Sequence, residues 1–222
     1  LFNKRALLVS FTADKAGYDV LEKAMDKLIK QMPDEPFVKA DWNMPREKKN
    51  EGICCASQIQ FVGRTGNYKD AGLPFRGTLL VLPNILHYDY LWIRLRVKGG
   101  AYGCMSGFGR DGDCYMVSYL DPKLAETNEV YDKLPEYLEQ FDQDERSMDR
   151  YVIGAISEMD IPKNPAALGV RGLTAYLSGI TREQLQKERD EVIDTDAKEI
   201  RALVPYAKAV LSNNCLCVVG NE

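Results

Sequence analysis

The sequence predicts an α+β fold, a mainly antiparallel or mixed sheet with helices packed on one face. Three observations carry that prediction. Short β-prone runs occur at 5–11, 53–62, 101–109, 113–120 and 215–219; Arg110-Asp111-Gly112-Asp113 joins two of them as a hairpin; and an almost unbroken helical block fills 123–213. Strands and helices do not alternate regularly, which argues against a doubly wound parallel sheet. The whole chain, 1–222, reads as one α+β domain: a strand–helix unit (1–32), a linker-like loop (33–52) and a main body (53–222).

Residues Arg5 to Phe11 form the first apolar, β-prone run. Thr12 or Asp14 can then cap a helix whose apolar positions, Val20, Leu21, Ala24, Met25, Leu28, Ile29 and Met32, recur with helical spacing until Pro33 stops it. The stretch from Pro33 to Glu51 holds three prolines and a Lys/Arg/Glu cluster without a period, as a loop does. A strand is expected from Ile53 to Val62, followed by turns from Gly63 to Gly72. Phe75 to Val97 reads as helical, with a kink or restart at Pro83 and Asp89 placed to cap a second short helix; Gly99 and Gly100 end it. A two-residue turn at Asp111-Gly112 would set Cys104 opposite Tyr119 and Cys114 opposite Gly109. Later helices show apolar faces at Val130, Leu134, Leu138 and Phe141, then at Met148, Val152, Ala155, Ile156 and Met159. Asn164-Pro165, Gly179 and the Thr181/Gln184 capping box mark helix ends, and Thr195 opens a last helix that must absorb Pro205. The closing run Cys215 to Val219 resembles the opening one in its polar-to-apolar profile, either as a repeat or by chance.

Of the 222 residues, 45% are hydrophobic and 28% charged, with 29 Lys+Arg against 33 Asp+Glu. A net charge of −4 with both signs mixed gives no footprint for nucleic acid or an anionic membrane. Apolar stretches fall short of the roughly 20 residues that cross a bilayer, and no secretion-signal layout is present. The six cysteines lack metal-ligand spacing and read as reduced thiols in a cytoplasmic compartment, with an organellar matrix as the alternative. The single histidine, His87, rules out any site in this chain that needs two, and is expected to be a packed or surface residue. Beginning at Leu1, the chain reads as a piece of a longer one.

Gly107-Phe108-Gly109-Arg110-Asp111-Gly112 matches G-x-G-x-x-G, but a strand follows it where a dinucleotide site needs a helix, so these glycines are expected to serve turn geometry. The more informative segment is Leu91-Trp92-Ile93-Arg94-Leu95-Arg96-Val97-Lys98-Gly99-Gly100-Ala101-Tyr102-Gly103. A helix ends in arginine, two glycines break it, and a tyrosine begins a strand. Arg96 and Tyr102 can therefore converge, and a permanent cation beside a phenolic donor suits a carbonyl oxygen that gains negative charge. The alternative is an arginine on a solvated helix end and a tyrosine in a core.

This segment resembles the Arg…Gly-Gly-Ala-Tyr-Gly signature in the C-terminal half of presequence-protease-type zinc peptidases of the pitrilysin/insulinase family. Val117-Ser118-Tyr119-Leu120-Asp121-Pro122, Met159-Asp160-Ile161-Pro162-Lys163-Asn164-Pro165 and Leu177-Ser178-Gly179-Ile180-Thr181 are similar too, with Leu120 standing where a polar residue is expected. The resemblance implies a zinc-dependent peptidase of four related domains whose halves close around an unstructured peptide. An inverted zinc motif, His-x-x-Glu-His, would lie in the N-terminal half, outside this chain. This chain would be its zinc-free C-terminal domain, inactive alone, with the N-terminal catalytic half as partner. Arg96 and Tyr102 would contact the substrate carbonyl. The helix Leu79 to Arg96 would take the zinc helix's place, but its His87-Tyr88-Asp89-Tyr90 cannot ligate zinc as that motif does. The competing reading is a non-catalytic structural or peptide-binding member of the same superfamily.

Overall fold

The computed structural model describes residues 3–36, 38, 40 and 50–221. In chain order its elements are α1 (Lys15–Gln31), β1 (Glu51–Cys54), β2 (Gln60–Asn67), α2 (Leu82–Ile85), a π-helical segment (Leu86–Val97), β3 (Gly103–Phe108), β4 (Asp113–Asp121), α3 (Leu124–Asp132), α4 (Leu134–Glu139), α5 (Glu145–Met159), α6 (Pro165–Ser178), α7 (Arg182–Ile193), α8 (Ala197–Arg201), α9 (Val204–Ser212) and β5 (Cys215–Gly220). They divide into two compact units, Leu1–Arg46 with Ile161–Gln184, and Glu47–Asp160 with Leu185–Glu222. No described helix is long and apolar enough to cross a membrane. Most of the linker-like stretch 33–52 lies outside the described residues.

The first unit is built on α1 and α6. Asp14 caps α1 by accepting from the Gly17 N–H at 2.8 Å, and Pro33 follows its end. Asn164 caps α6 by accepting from Ala167, Pro165 occupies the first turn, and Gly179 closes the helix at φ +66°. A side chain at Gly169 would collide with Thr12, so glycine there lets α6 approach the N-terminal segment. The expected strand Arg5–Phe11 is absent: Lys4–Ala6 is a 3-10 turn, the Lys4 N–H donates to the Pro33 carbonyl, and the run has no strand partner among the described residues.

The second unit holds a mixed sheet in the order β1-β5-β2-β4-β3. β1 and β5 are parallel and every other neighbouring pair is antiparallel. Helices cover one face, where Val62, Arg64, Cys104, Phe108, Cys114, Met116 and Ser118 are buried; Phe61, Met105 and Tyr115 are exposed on the other. That alternation is the period-2 pattern of a one-sided α+β sheet. Buried tyrosines stitch loops and helices to this core through their hydroxyls: Tyr68 donates to the Gly109 carbonyl, Tyr90 to Val130 and Tyr206 to Pro74. The buried guanidinium of Arg64 donates to Asp132 at 2.8 Å.

Four local expectations change. The strand expected over 53–62 is two strands, because the Cys55 N–H turns to the Gly220 carbonyl and Ser57 accepts from Ile59; β2 then runs on to Asn67 through residues expected as turn. Asp89 lies inside the helical rod and caps nothing, its carboxylate instead accepting from the Tyr151 hydroxyl. The hairpin register is offset by one, pairing Cys104 with Ser118 and Cys114 with Phe108. Its turn is longer than two residues: the Gly109 N–H donates to Asp113 and the Gly112 N–H to Gly109, with Gly112 at φ +98°. The last helix is split in two, and Asp196 rather than Thr195 caps α8.

Candidate functional site

The site begins with the winding of one helix. From Leu86 the rod changes from α to π geometry, in which N–H groups reach carbonyls five residues back, as the Lys98 N–H does to Ile93 at 3.1 Å. Burial follows the wider turn, with Leu86, Tyr90, Leu91 and Leu95 facing the core at spacings of four or five. On the outer side the same turn sets residues four apart almost above one another, and so aligns Tyr88, Trp92 and Arg96. The Arg96 guanidinium carbon lies 4.1 Å from the centre of the Trp92 ring. The rod ends where the Gly100 N–H donates to Arg96 and the Ala101 N–H to Leu95, a closure that needs the φ of +88° at Gly100. That reversal brings Tyr102 back toward the helix end, its ring centre 5.5 Å from the Arg96 guanidinium carbon.

The hairpin supplies the other wall. Cross-strand pairing sets Gly103 opposite Tyr119 and Gly107 opposite Tyr115, and the tyrosine rings lie over the two glycines. A Cβ at Gly103 would collide with the Tyr119 ring and hydroxyl, so glycine makes room for the ring. Gly107 of the G-x-G-x-x-G run therefore accommodates Tyr115, while Gly109 and Gly112 serve the turn. Tyr119 packs against Tyr102 with ring centres 5.8 Å apart. The next residue, Leu120, sits at φ +51°, where the β2–β4 register shifts between Gln60 and Phe61. It is the extra residue of a β-bulge, and its carbonyl accepts from the Tyr102 N–H at 3.3 Å. Asp121 is buried and satisfied, accepting from the Thr127 hydroxyl and the Lys123 N–H.

The structure thus brings Arg96 and Tyr102 together, as the sequence predicts. Both are exposed, Tyr102 by 60%, and Arg96 has no carboxylate partner among the described residues. A guanidinium and a phenol held side by side with open polar ends can donate to an oxygen that becomes negative during a reaction. Beneath them, burial pushes the Cys104 thiol up to about 11 against the opposing pull of Arg96. Cys114 is buried as well, but Cys54, Cys55 and Cys217 are exposed. His87 packs on Tyr88 and Trp92, with ring centres 5.0 and 5.2 Å apart. It does not converge with other ligand types: the described residues hold no group of three or more His, Cys, Asp or Glu able to hold a metal.

Sequence reasoning missed Trp92 and Tyr119 as members of the cluster. The four-residue spacing of Tyr88, Trp92 and Arg96, which sets residues on one face of a helix, is the signal for the first. The offset hairpin register hid the second, since the expected pairing put Tyr119 opposite Cys104 and not Gly103.

A family model described as PreP C-terminal domain matches residues 50–219. The chain is 41% identical over 222 residues to protein HypA of Clostridium perfringens, covering all of this chain and 23% of that protein. It is 31% identical over 214 residues to presequence protease 1, chloroplastic/mitochondrial, of Arabidopsis thaliana, covering 95% of this chain and 19% of the relative. The chain therefore spans less than a quarter of the length of these relatives. Among solved structures, the peptidase M16 inactive domain from Pseudomonas fluorescens superposes with a TM-score of 0.64 at 18% identity, over 92% of this chain and 51% of that one. Pitrilysin does so with 0.58 at 11% identity, over 92% and 23%. These two likenesses establish the fold, and the family match over residues 50–219 establishes that the chain belongs to the presequence protease C-terminal domain family.

Proposed function

We propose that this chain is the zinc-free C-terminal domain of a metallopeptidase that degrades unstructured peptides, and that Arg96 and Tyr102 donate to the substrate carbonyl during cleavage. Zinc and the catalytic half that binds it lie outside this chain, and the chain alone does not hydrolyse peptides. The observation that supports this reading is the cluster Trp92–Arg96–Tyr102–Tyr119. One permanent cation and one phenol are aligned by neighbouring rings, exposed, and without a neutralising carboxylate among the described residues. A purely structural arginine at a helix end needs none of that alignment.

The two donors divide the work by chemistry. Arg96 stays charged throughout and acts on whatever negative charge develops on the oxygen. Tyr102 offers a directional O–H that ties the same oxygen to the start of β3. Because both side chains are prearranged, little reorganisation is needed as charge builds.

The test is hydrolysis of an unstructured peptide by the full-length protein, with and without chelator, for wild type, Arg96→Ala and Tyr102→Phe. The expected result is chelator-sensitive cleavage and a loss of about 10²–10³ in kcat for Arg96→Ala. Unchanged turnover in both variants would overturn the site assignment, and chelator-insensitive cleavage would overturn the metallopeptidase reading.

A further inference from the structure

The rings that begin at Tyr102 do not stop at Trp92. Trp92 touches His87, and His87 touches Tyr88, so an aromatic track continues along the outer side of the π-helical segment. Tyr88 is 63% exposed and forms the rim of a cleft of about 590 Å³ between that segment and α5. The cleft's far side is α5, where Tyr151, Gly154 and Glu158 follow one another at helical spacing with Ile153 on the rim. Gly154 leaves room for Asn84, whose amide nitrogen is buried there without an acceptor among the described residues.

We infer that this cleft is a subsite for a basic side chain of the peptide substrate, reached along the Tyr88–Trp92–Arg96 track. The inference rests on the peptide-cleaving role proposed above. Two carboxylates, Asp89 and Glu158, face the cleft against one guanidinium, Arg150. Arg150 donates to the Ser147 hydroxyl at 3.0 Å, and Asp89 accepts from Tyr151 through one oxygen, leaving the other open. Tyr88 and Tyr151 supply ring faces for a cation, and Ile153 supplies an apolar surface for a lysine or arginine stem.

The track also sets the distance. Tyr88 and Arg96 are eight residues apart on one helix, a rise of about 12 Å or less. An extended peptide covers that in three or four residues. The subsite therefore reads a side chain about three or four positions from the carbonyl that meets Arg96 and Tyr102.

The test uses the full-length protein and a set of unstructured peptides with a single scissile bond. Lysine is compared with norleucine at each of the five positions on either side. Wild type is expected to favour lysine three or four positions away on one side by about fivefold to tenfold in kcat/KM, carried by KM. Glu158→Lys should bring that ratio to one or below, and Tyr88→Ala should reduce it. No preference at those positions, or a preference that survives Glu158→Lys, overturns the subsite. Arg96→Ala separates the two proposals, because it should lower kcat equally for the lysine and norleucine peptides. If it leaves kcat unchanged, the carbonyl role fails whatever the cleft does.

Discussion

The Arg96 guanidinium carbon lies 4.1 Å from the centre of the Trp92 ring, one π-helical turn earlier on the same rod. A stacked guanidinium keeps its charge and loses rotamer freedom, so Trp92 fixes the direction in which Arg96 donates. An exposed cation–π contact is worth about 0.5–1 kcal/mol. Trp92→Ala should therefore lower kcat about threefold to fivefold with KM little changed, and Trp92→Phe should restore most of it. In an Arg96→Ala background the tryptophan should no longer matter to kcat. A loss of the same size in that background would show that Trp92 acts on the fold and not through Arg96.

Tyr119 lies over Gly103, and the two residues are a cross-strand pair. Adding a Cβ at Gly103 forces the ring aside and disturbs its packing on Tyr102. Gly103→Ala should cost about 1–2 kcal/mol in urea denaturation of the chain. In a Tyr119→Ala background the same change should be nearly neutral, because nothing is left to displace. Equal costs in both backgrounds would place the strain elsewhere.

Much of this was legible in the sequence, and the parts that were not share a cause. Helix ends written in local chemistry, such as Asn164-Pro165 and Gly179, came out where capping rules put them, and of the two candidates Thr12 and Asp14 it is Asp14 that caps α1. So did the convergence of Arg96 and Tyr102, because two glycines between a helix and a strand leave the chain few directions. Tertiary partners decided the rest. Arg5–Phe11 has strand composition but no strand to pair with among the described residues, whereas the similar Cys215–Gly220 lies between β1 and β2 and forms β5. Asp89 read as a cap because the helical rod was expected to restart after Pro83, whereas it runs unbroken from Leu82 to Val97 and leaves Asp89 in its interior.

Leu120 holds φ at +51°, a conformation that costs an ordinary side chain of order 1 kcal/mol and that asparagine accepts more readily. The bulge it forms orients the end of β4 beside Tyr102. Leu120→Asn should leave the denaturation free energy within about 0.5 kcal/mol of wild type, relief of strain offsetting the loss of a half-buried leucine. Leu120→Val keeps the residue apolar yet is branched where a positive φ is most crowded, and should cost about 2 kcal/mol. If valine proves the better tolerated of the two, burial and not backbone conformation governs this position.

Alkaline pH should unfold the second unit cooperatively. Burial pushes Cys104 to about 11 and Cys114 to about 12 from an ordinary thiol value of 9.0, and Tyr90 to about 12 from 10.0. Tyr131 and Tyr137 are raised by burial in the same direction. For each group the native state holds a proton that the unfolded chain releases, so stability falls as pH rises. The contribution is intact below about pH 9, where both states are protonated, and is lost progressively between 9 and 12. Chain stability followed by circular dichroism should be level from pH 7 to 9 and then drop. The thiols give an independent check at pH 8: alkylation should label the exposed Cys54, Cys55 and Cys217 and spare Cys104 and Cys114 until the chain unfolds. Stability that stays level through pH 12, or uniform labelling of the native chain, would mean these groups are not shielded by the core.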